Sequence, residues 1–488
     1  MTDVGRLTHP DVEDSPQPKQ RSTAHYVLVT VAVMLMMEAT VFSAVMFTNI
    51  LHNMIPPFTP GQLPWIVTIT FLVGSALQPL AGKLSDVFGY KRLFLAAAVL
   101  FLAGSLLGAL TSSFPMMMVA RVLQASVIAM PGVNYAFFRE YLPKRMVPIV
   151  IGLSATGIGV AVAIGPIISG ALVGSFSYHS VFWFCFLYML ALAPVLYFGV
   201  PDIGRRSKRR IDVGGAFLLT LGIGMLLFGF TQSSSKGWTS AGTLVPFAIA
   251  VLSFVGFVIL ENGLPEPLID MKLLSSPALR TSLLIALFAS VPASSSGFLI
   301  PQMLESHAGG GVSYGMGMSS FHAGLFGLFT GVVTMICGPL GGYLCRRHSP
   351  RLVVLMCSVI GAVASVVVAL AHDHLWQYAI SMMLFGVASG FYYAGTVNLV
   401  IEAVPPRLTG VSGGLQATTS ALTSGAAPVL ATVVLALYVV GGAGSAYAGK
   451  GYTYVFLGAA VFGVIAVVLS LFMRHGRAQA TGGAAVTD

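Results

Sequence analysis

Apolar stretches of about 20 residues recur from Tyr26 to Met473, parted by short breaks rich in polar residues, Gly and Pro. A run of that length crosses the hydrocarbon core of a bilayer as one helix. The pattern predicts fourteen helices, at about 26–50, 63–84, 92–112, 114–138, 148–174, 181–200, 212–232, 243–260, 278–302, 320–343, 351–371, 374–401, 410–440 and 452–473. Residues 1–25 are polar and Pro-containing, and no short apolar stretch with a small-residue cleavage site precedes Tyr26. The first helix therefore reads as an anchor rather than a cleaved signal. Residues 1–25 and 474–488 read as disordered cytoplasmic tails.

Composition agrees with the pattern. The chain has 488 residues, 56% hydrophobic and 8% charged, where soluble domains carry about 25% charged residues. Its net charge of +9 would suit a nucleic-acid partner, but the placement of that charge argues against one. With the N-terminus in the cytoplasm, every Lys and Arg falls on the inner side except Lys236, Lys450 and the helix-embedded Arg121. The positive-inside rule demands this asymmetry, and shifting the helix count by one destroys it. The expected location is the plasma membrane, multi-pass, with both termini cytoplasmic. Cys185, Cys337, Cys345 and Cys357 lie in helices or at the inner face, so no disulfide is expected.

One internal echo organises the chain. Pro79-Leu80-Ala81-Gly82-Lys83-Leu84 returns as Pro339-Leu340-Gly341-Gly342-Tyr343-Leu344, 260 residues later. Both copies end a helix and run into basic residues. Paired halves are how many secondary transporters are built. The offset spans eight predicted helices where a half needs six, so two are surplus. The expected organisation is a six-helix half over 26–200, a basic loop with two inserted helices over 201–277, and a second six-helix half over 278–473.

Candidate chemistry starts at Glu38, the one acid deep within a predicted span. A charge at that depth costs about 2.5–3.5 kcal/mol on insertion scales, and the default reading is a proton or cation site. Arg121 is the one base within a span. An intramembrane acid and base suggest a functional couple, against the alternative that Arg121 snorkels or binds carbonyls structurally. The loop Gly82-Lys83-Leu84-Ser85-Asp86-Val87-Phe88-Gly89-Tyr90-Lys91-Arg92 is a tight charged turn between two helices, and 157–170 is a helix rich in Gly with Gly165-Pro166. Asn49, Gln124, Asn134, Tyr135, Tyr392, Tyr393 and Asn398 are polar or aromatic residues inside helices. They line a pocket or satisfy one another between helices.

These motifs resemble the major facilitator superfamily, and among its members the fourteen-helix drug–proton antiporters. The 82–92 loop is similar to the family's loop between helices two and three. The resemblance implies a conformational gate formed by Gly82, Asp86, Gly89, Lys91 and Arg92. Arg121-Val122-Leu123-Gln124-Ala125 resembles a helix-four motif whose Arg is associated with proton transfer, with Ala125 where Gly is usual. Gly157, Gly165, Pro166 and Gly170 match an antiporter signature, with Ala161 and Ser169 replacing glycines. Met37-Glu38-Ala39-Thr40-Val41-Phe42-Ser43 is similar to the first-helix motif of those antiporters, with Glu38 for Asp and Ser43 for Asn.

The expected fold is therefore all-α integral membrane, a major-facilitator fold of two six-helix halves plus two inserted helices. The expected function is proton-coupled export of lipophilic or cationic small molecules by a monomer in the bilayer, with Glu38 and Arg121 as coupling residues. One proton moving down about 100 mV releases about 2.3 kcal/mol. Alternatives are proton-coupled transport of one dedicated metabolite, peptide or lipid, and a non-transporting membrane sensor or scaffold. Enzyme chemistry, nucleotide, metal and other cofactors are not expected. Gly444–Gly451 nearly spells a phosphate loop but has Gly451 where Ser or Thr is required, and His372-Asp373-His374 lacks further ligands.

Overall fold

A computed structural model describes residues 23–54, 56–58, 62–203, 212–264, 267, 274–306, 314–318, 320–404, 409–440 and 446–480. The basic loop at Arg205–Arg210, Pro405–Arg407 and most of the two expected tails lie outside these residues. The helices are α1 (Thr23–Ile50), α2 (Leu63–Phe88), α3 (Tyr90–Leu110), α4 (Phe114–Ile128), α5 (Pro131–Tyr141), α6 (Val147–Ser175) and α7 (His179–Gly199). They continue as α8 (Val213–Lys236), α9 (Ala241–Gly263), α10 (Pro277–Glu305), α11 (Ser320–Arg347), α12 (Pro350–Leu370), α13 (Leu375–Glu402), α14 (Thr409–Ala436) and α15 (Gly449–Phe472). Among the described residues twelve spans are long and apolar enough to cross a membrane, α4 and α5 together forming one of them. The long helices α8 and α14 stand at the two remaining expected positions.

Local sequence explains the ends. Asp212 caps α8 by accepting from the Gly215 amide at 2.8 Å, and Ser349 caps α12 through Leu352 at 3.2 Å. Gln377 Oε1 accepts the amides of Asp373 and His374 at 2.7 and 2.9 Å, so the His-Asp-His turn begins α13 as a cap. Gly89 joins α2 to α3 at φ +83°, a conformation that strains any residue with a side chain. Short strands β1 (Val439–Val440) and β2 (Ala446–Tyr447) pair antiparallel before α15.

Buried side chains gather in separate clusters. One is built from α1–α7 with Val397 and Ile401 of α13, and others from α10–α15. The hairpin α8–α9 packs on α2 and α14 through Ile223, Phe257, Ala76 and Val411. Contacts between α1–α7 and α10–α15 are made chiefly by α6 on α11 and by α2 and α5 on α14. Glycines permit this close approach. A Cβ on Gly152 would stand 2.8 Å from Gly342 Cα, and one on Gly159 would stand 2.8 Å from the Met335 amide.

Arg474–Ala480, expected as part of a disordered tail, is bonded to the helical core. The Ala480 amide donates to the Cys345 carbonyl at 2.9 Å, the Arg351 amide to the Gly476 carbonyl at 3.1 Å, and Gln479 Nε2 to the Arg347 carbonyl at 3.1 Å. The side chain of Arg351 donates to Ser470 and Leu471 carbonyls at 2.7 and 2.6 Å, satisfying the end of α15. Composition alone does not reveal such backbone pairing.

Candidate functional site

Glu38 sits partly buried on α1 and faces α6. Gly157 is directly beneath it: a Cβ there would lie 2.7 Å from both Cγ and Cδ of Glu38. Gly165 turns to the same helix, where a Cβ would meet Val45 Cγ1 at 3.3 Å. Pro166 faces Gly324 of α11, and Gly170 lies further along α6. The glycine-rich helix thus has two closely packed faces, one on α1 and one on α11. Gly152 and Gly159 serve the second face, and of these only Gly152 lies outside the glycine-rich stretch read from sequence.

Arg121 is fully buried on α4. Nε donates to the Ile66 carbonyl at 2.7 Å, and one terminal nitrogen to Ser43 Oγ at 3.1 Å and Gln124 Oε1 at 2.6 Å. The other terminal nitrogen reaches the Ser43 carbonyl at 3.2 Å, and the guanidinium carbon lies 4.1 Å from the Phe47 ring centroid. Gln124 is itself held by Ser105 at 2.8 Å. Hydrogen bonds to a charged group contribute about 1.5–3 kcal/mol each, and the ring adds a cation–π term. Those contacts offset the desolvation of the charge without an acid. Among the described residues no ion pair joins Arg121 to Glu38; the expected couple is separated along α1, with Ser43 and Phe47 as the residues of that helix that meet the base.

Between them lies a break that the sequence reading ran through as one helix over 114–138. Pro131 has no amide hydrogen, so it cannot donate to the Val127 carbonyl, and α4 ends at Ile128. Thr40 Oγ1 of α1 joins the Met130 amide in donating to that carbonyl, each at 3.1 Å. Gln78 Nε2 of α2 supplies the next one, Ile128, at 3.0 Å, while its Oε1 accepts from Thr418 of α14 at 3.2 Å. In a membrane interior such freed carbonyls need donors from neighbouring helices. Gln78 and Thr418 were missed; the signal was Pro131 inside an apolar run, which calls for partners four residues upstream.

The remaining pocket candidates divide. Tyr392 exchanges a hydrogen bond with Ser420 at 2.6 Å and lies 3.2 Å from the Ala286 carbonyl; its ring centroid is 5.5 Å from that of Tyr393. Asn398 donates to the Ala394 carbonyl at 2.8 Å and the Pro148 carbonyl at 3.5 Å, a bond from α13 to α6. Tyr135 is buried on α5 within electrostatic range of Tyr392 and Tyr393. Asn134 is fully buried, and among the described residues neither polar atom of its amide has a hydrogen-bond partner. Asn49 lies in α1, its side chain outside the described residues.

At the end bearing the basic loops, Lys91 Nζ lies 5.4 Å from the Tyr197 ring of α7, and Arg92 is exposed. Ser85 Oγ donates to the Gly82 carbonyl at 2.6 Å. Asp86 acts electrostatically on Tyr90, whose hydroxyl donates to Glu140 at 3.0 Å. The ties that cross between helix groups come from elsewhere. Arg139 of α5 donates to Thr409 Oγ1 and, at 3.3 Å, to the Val404 carbonyl, while Lys83 donates to the Pro267 carbonyl at 2.5 Å. Asn398 adds a further bond of this kind, from α13 to α6. Among the described residues no three His, Cys, Asp or Glu side chains gather as metal ligands.

Comparison with known proteins places this geometry. A sequence model of the Major Facilitator Superfamily matches residues 27–333 and 282–485. The tetracenomycin C resistance and export protein of Streptomyces glaucescens is 27% identical over 449 residues, covering 90% of this chain and 80% of that protein. The methylenomycin A resistance protein of Bacillus subtilis is 24% identical over 467 residues, covering 94% and 96%. A lincomycin resistance protein of Listeria monocytogenes is 26% identical over 330 residues, covering 66% and 68%. Among solved structures, the proton:xylose symporter XylE superposes with a TM-score of 0.65 at 12% identity, over 95% of this chain and 99% of that one. The human organic anion transporter MFSD10 gives 0.64 at 12% identity, over 91% and 99%. These two likenesses show the fold.

Proposed function

The chain belongs to the major facilitator superfamily, and from that premise we propose that it is a proton-coupled antiporter exporting lipophilic or cationic small molecules, antibiotics among them. The observation that carries the reading is the carboxyl of Glu38, partly buried in a membrane-spanning helix and seated on Gly157. A carboxyl at that depth without a cationic partner binds a proton readily when its site closes and releases it when a water path opens. Substrate entering between the halves competes with the proton for the same carboxyl, which couples the two fluxes. Arg121 holds α1, α2 and α4 in register around it through Ser43, Ile66 and Gln124. The relatives named for resistance to tetracenomycin C, lincomycin and methylenomycin A support a drug-like substrate.

In this reading the protein is a monomer in the plasma membrane, with both termini and the basic loops in the cytoplasm. It has fourteen spans: two six-helix halves, 26–200 and 278–473, and the inserted pair α8–α9. The halves rock about the central cavity, and the ties at Lys83, Arg139 and Asn398 hold its cytoplasmic end shut in the state described. Asp86, Gly89 and the residues around them bias that state.

The test is proton release from acid-loaded proteoliposomes on adding lipophilic cations or antibiotics. Wild type is expected to exchange protons for substrate, and Glu38→Gln to lose the exchange while still binding substrate. Unchanged exchange in Glu38→Gln would remove this carboxyl from the coupling.

A further inference from the structure

Between the inserted helix α8 and helices α10, α14 and α15 lies a cavity of about 380 Å³, open on the side where Leu430, Tyr454 and Phe462 are exposed. Leu226 and Phe230 of α8 form one wall, and Phe288, Leu430 and Phe462 the others. Among the described residues no charged side chain lines it. The hydroxyl of Thr423 is engaged with the Thr419 and Leu287 carbonyls, at 3.0 and 3.4 Å. A Cβ built on Gly458, which also lines the space, would meet nothing within 4 Å.

Aromatic residues set its depth. Phe230 packs on Phe247 at 5.3 Å and on Trp238 at 6.2 Å, at the tip of the α8–α9 hairpin. Tyr454, 52% exposed, lies 5.5 Å from Tyr438 near the start of α15. Trp and Tyr favour the headgroup level, so the cavity hangs below that level in the leaflet away from the basic end. A volume near 380 Å³ falls in the range of ligand pockets. Left empty, such walls forfeit their dispersion contacts.

We propose that this cavity is a binding site for one acyl chain of a membrane lipid, drawn from the leaflet away from the basic end, with its headgroup beside Trp238 and Tyr454. The walls offer hydrocarbon and aromatic contact and no counter-charge, which suits an alkyl chain and leaves a cation unneutralised. The bound chain wedges α8 against α10, α14 and α15, sealing the hairpin to the bundle. The inference rests on the membrane-spanning fold and is independent of proton coupling.

Full-length protein in nanodiscs containing a phosphatidylglycerol with a diazirine in one acyl chain tests this. After exchange into detergent and irradiation, mass spectrometry maps the adducts. Adducts at Leu430 and Phe462 are expected to survive an exchange that strips those at Val251, Leu252 and Ile259, exposed on the outer face of α9. Gly458→Phe fills the space and should lower the surviving adducts by about tenfold, as should the milder Ala427→Leu, because neither leaves the chain walls to contact. Loss of all adducts together, or their persistence in both folded variants, would overturn the site. Displacement of the adducts by tetraphenylphosphonium would overturn the lipid assignment and make the cavity a substrate site.

Discussion

The carboxyl of Glu38 on α1 rests on the bare backbone of Gly157 on α6, with no room between them for a methyl group. Two residues that belong to separate motifs therefore form one contact. The acid is held by the absence of a side chain opposite it.

Gly157→Ala should displace that carboxyl and slow substrate-driven proton exchange by about tenfold, or roughly 1.4 kcal/mol in barrier. Gly174→Ala, where a Cβ meets nothing within 4 Å on the same helix, should exchange like wild type. Equal rates in the two variants would show that the packing of Glu38 on α6 is irrelevant to coupling.

Arg121→Lys keeps the charge but loses the fork that reaches Ser43, Ile66 and Gln124 together. A loss of about 2–4 kcal/mol in stability is expected. It is read as a lowered melting temperature in detergent. An unchanged melting temperature would mean that the base is held by other contacts.

Thr40→Val removes the α1 donor to the Val127 carbonyl at the α4–α5 break, leaving it the Met130 amide, and should cost about 0.5–1.5 kcal/mol. Pro131→Ala returns an amide hydrogen four residues on. In the Pro131→Ala background, Thr40→Val should therefore cost much less. A double-mutant cycle measures that coupling, and strictly additive effects would refute the arrangement.

Arg139→Ala cuts the tie from α5 to Thr409 and Val404, favouring opening of the basic end. A cysteine at Ala417, a buried position on α14, reports it in a background lacking the native cysteines. Alkylation from the basic side should speed up by about tenfold as the open population grows. No change would assign the closure to α6 and α11 alone.

Deleting residues 475–488 removes the bonds that Gly476, Gln479 and Ala480 make to α11 and α12. The expected cost is about 2–4 kcal/mol, with the C-terminal helices melting first in hydrogen exchange. Protection equal to that of the full chain would show that the strap holds nothing.

Much of the fold is legible along the chain, because crossing a bilayer constrains length and polarity residue by residue. The expected helices fall where the structure has helices, to within a few residues. The one run that misled, 114–138, did so because Pro131 breaks it while apolarity continues across the break. The site was legible only as a set of suspects. Glu38, Arg121 and Gly157 stand out because a charge in hydrocarbon, or a glycine in a helix, is costly unless used. Gln78 and Thr418 looked like ordinary polar residues; what distinguishes them is the orphaned Ile128 carbonyl, created by a proline elsewhere.

The sequence by itself marked this chain as a membrane protein and determined which segments are long and apolar enough to cross a bilayer and where its unusual charges sit, since each follows from local transfer energies. Only the tertiary structure decided that Glu38 meets Gly157, that Arg121 is served by Ser43, and that Arg139 of α5 reaches Thr409 of α14. Helix rotation and pairing decide such contacts. Between apolar helices in lipid, these depend on small-residue packing and hydrogen-bond satisfaction across the whole bundle, which no single segment encodes.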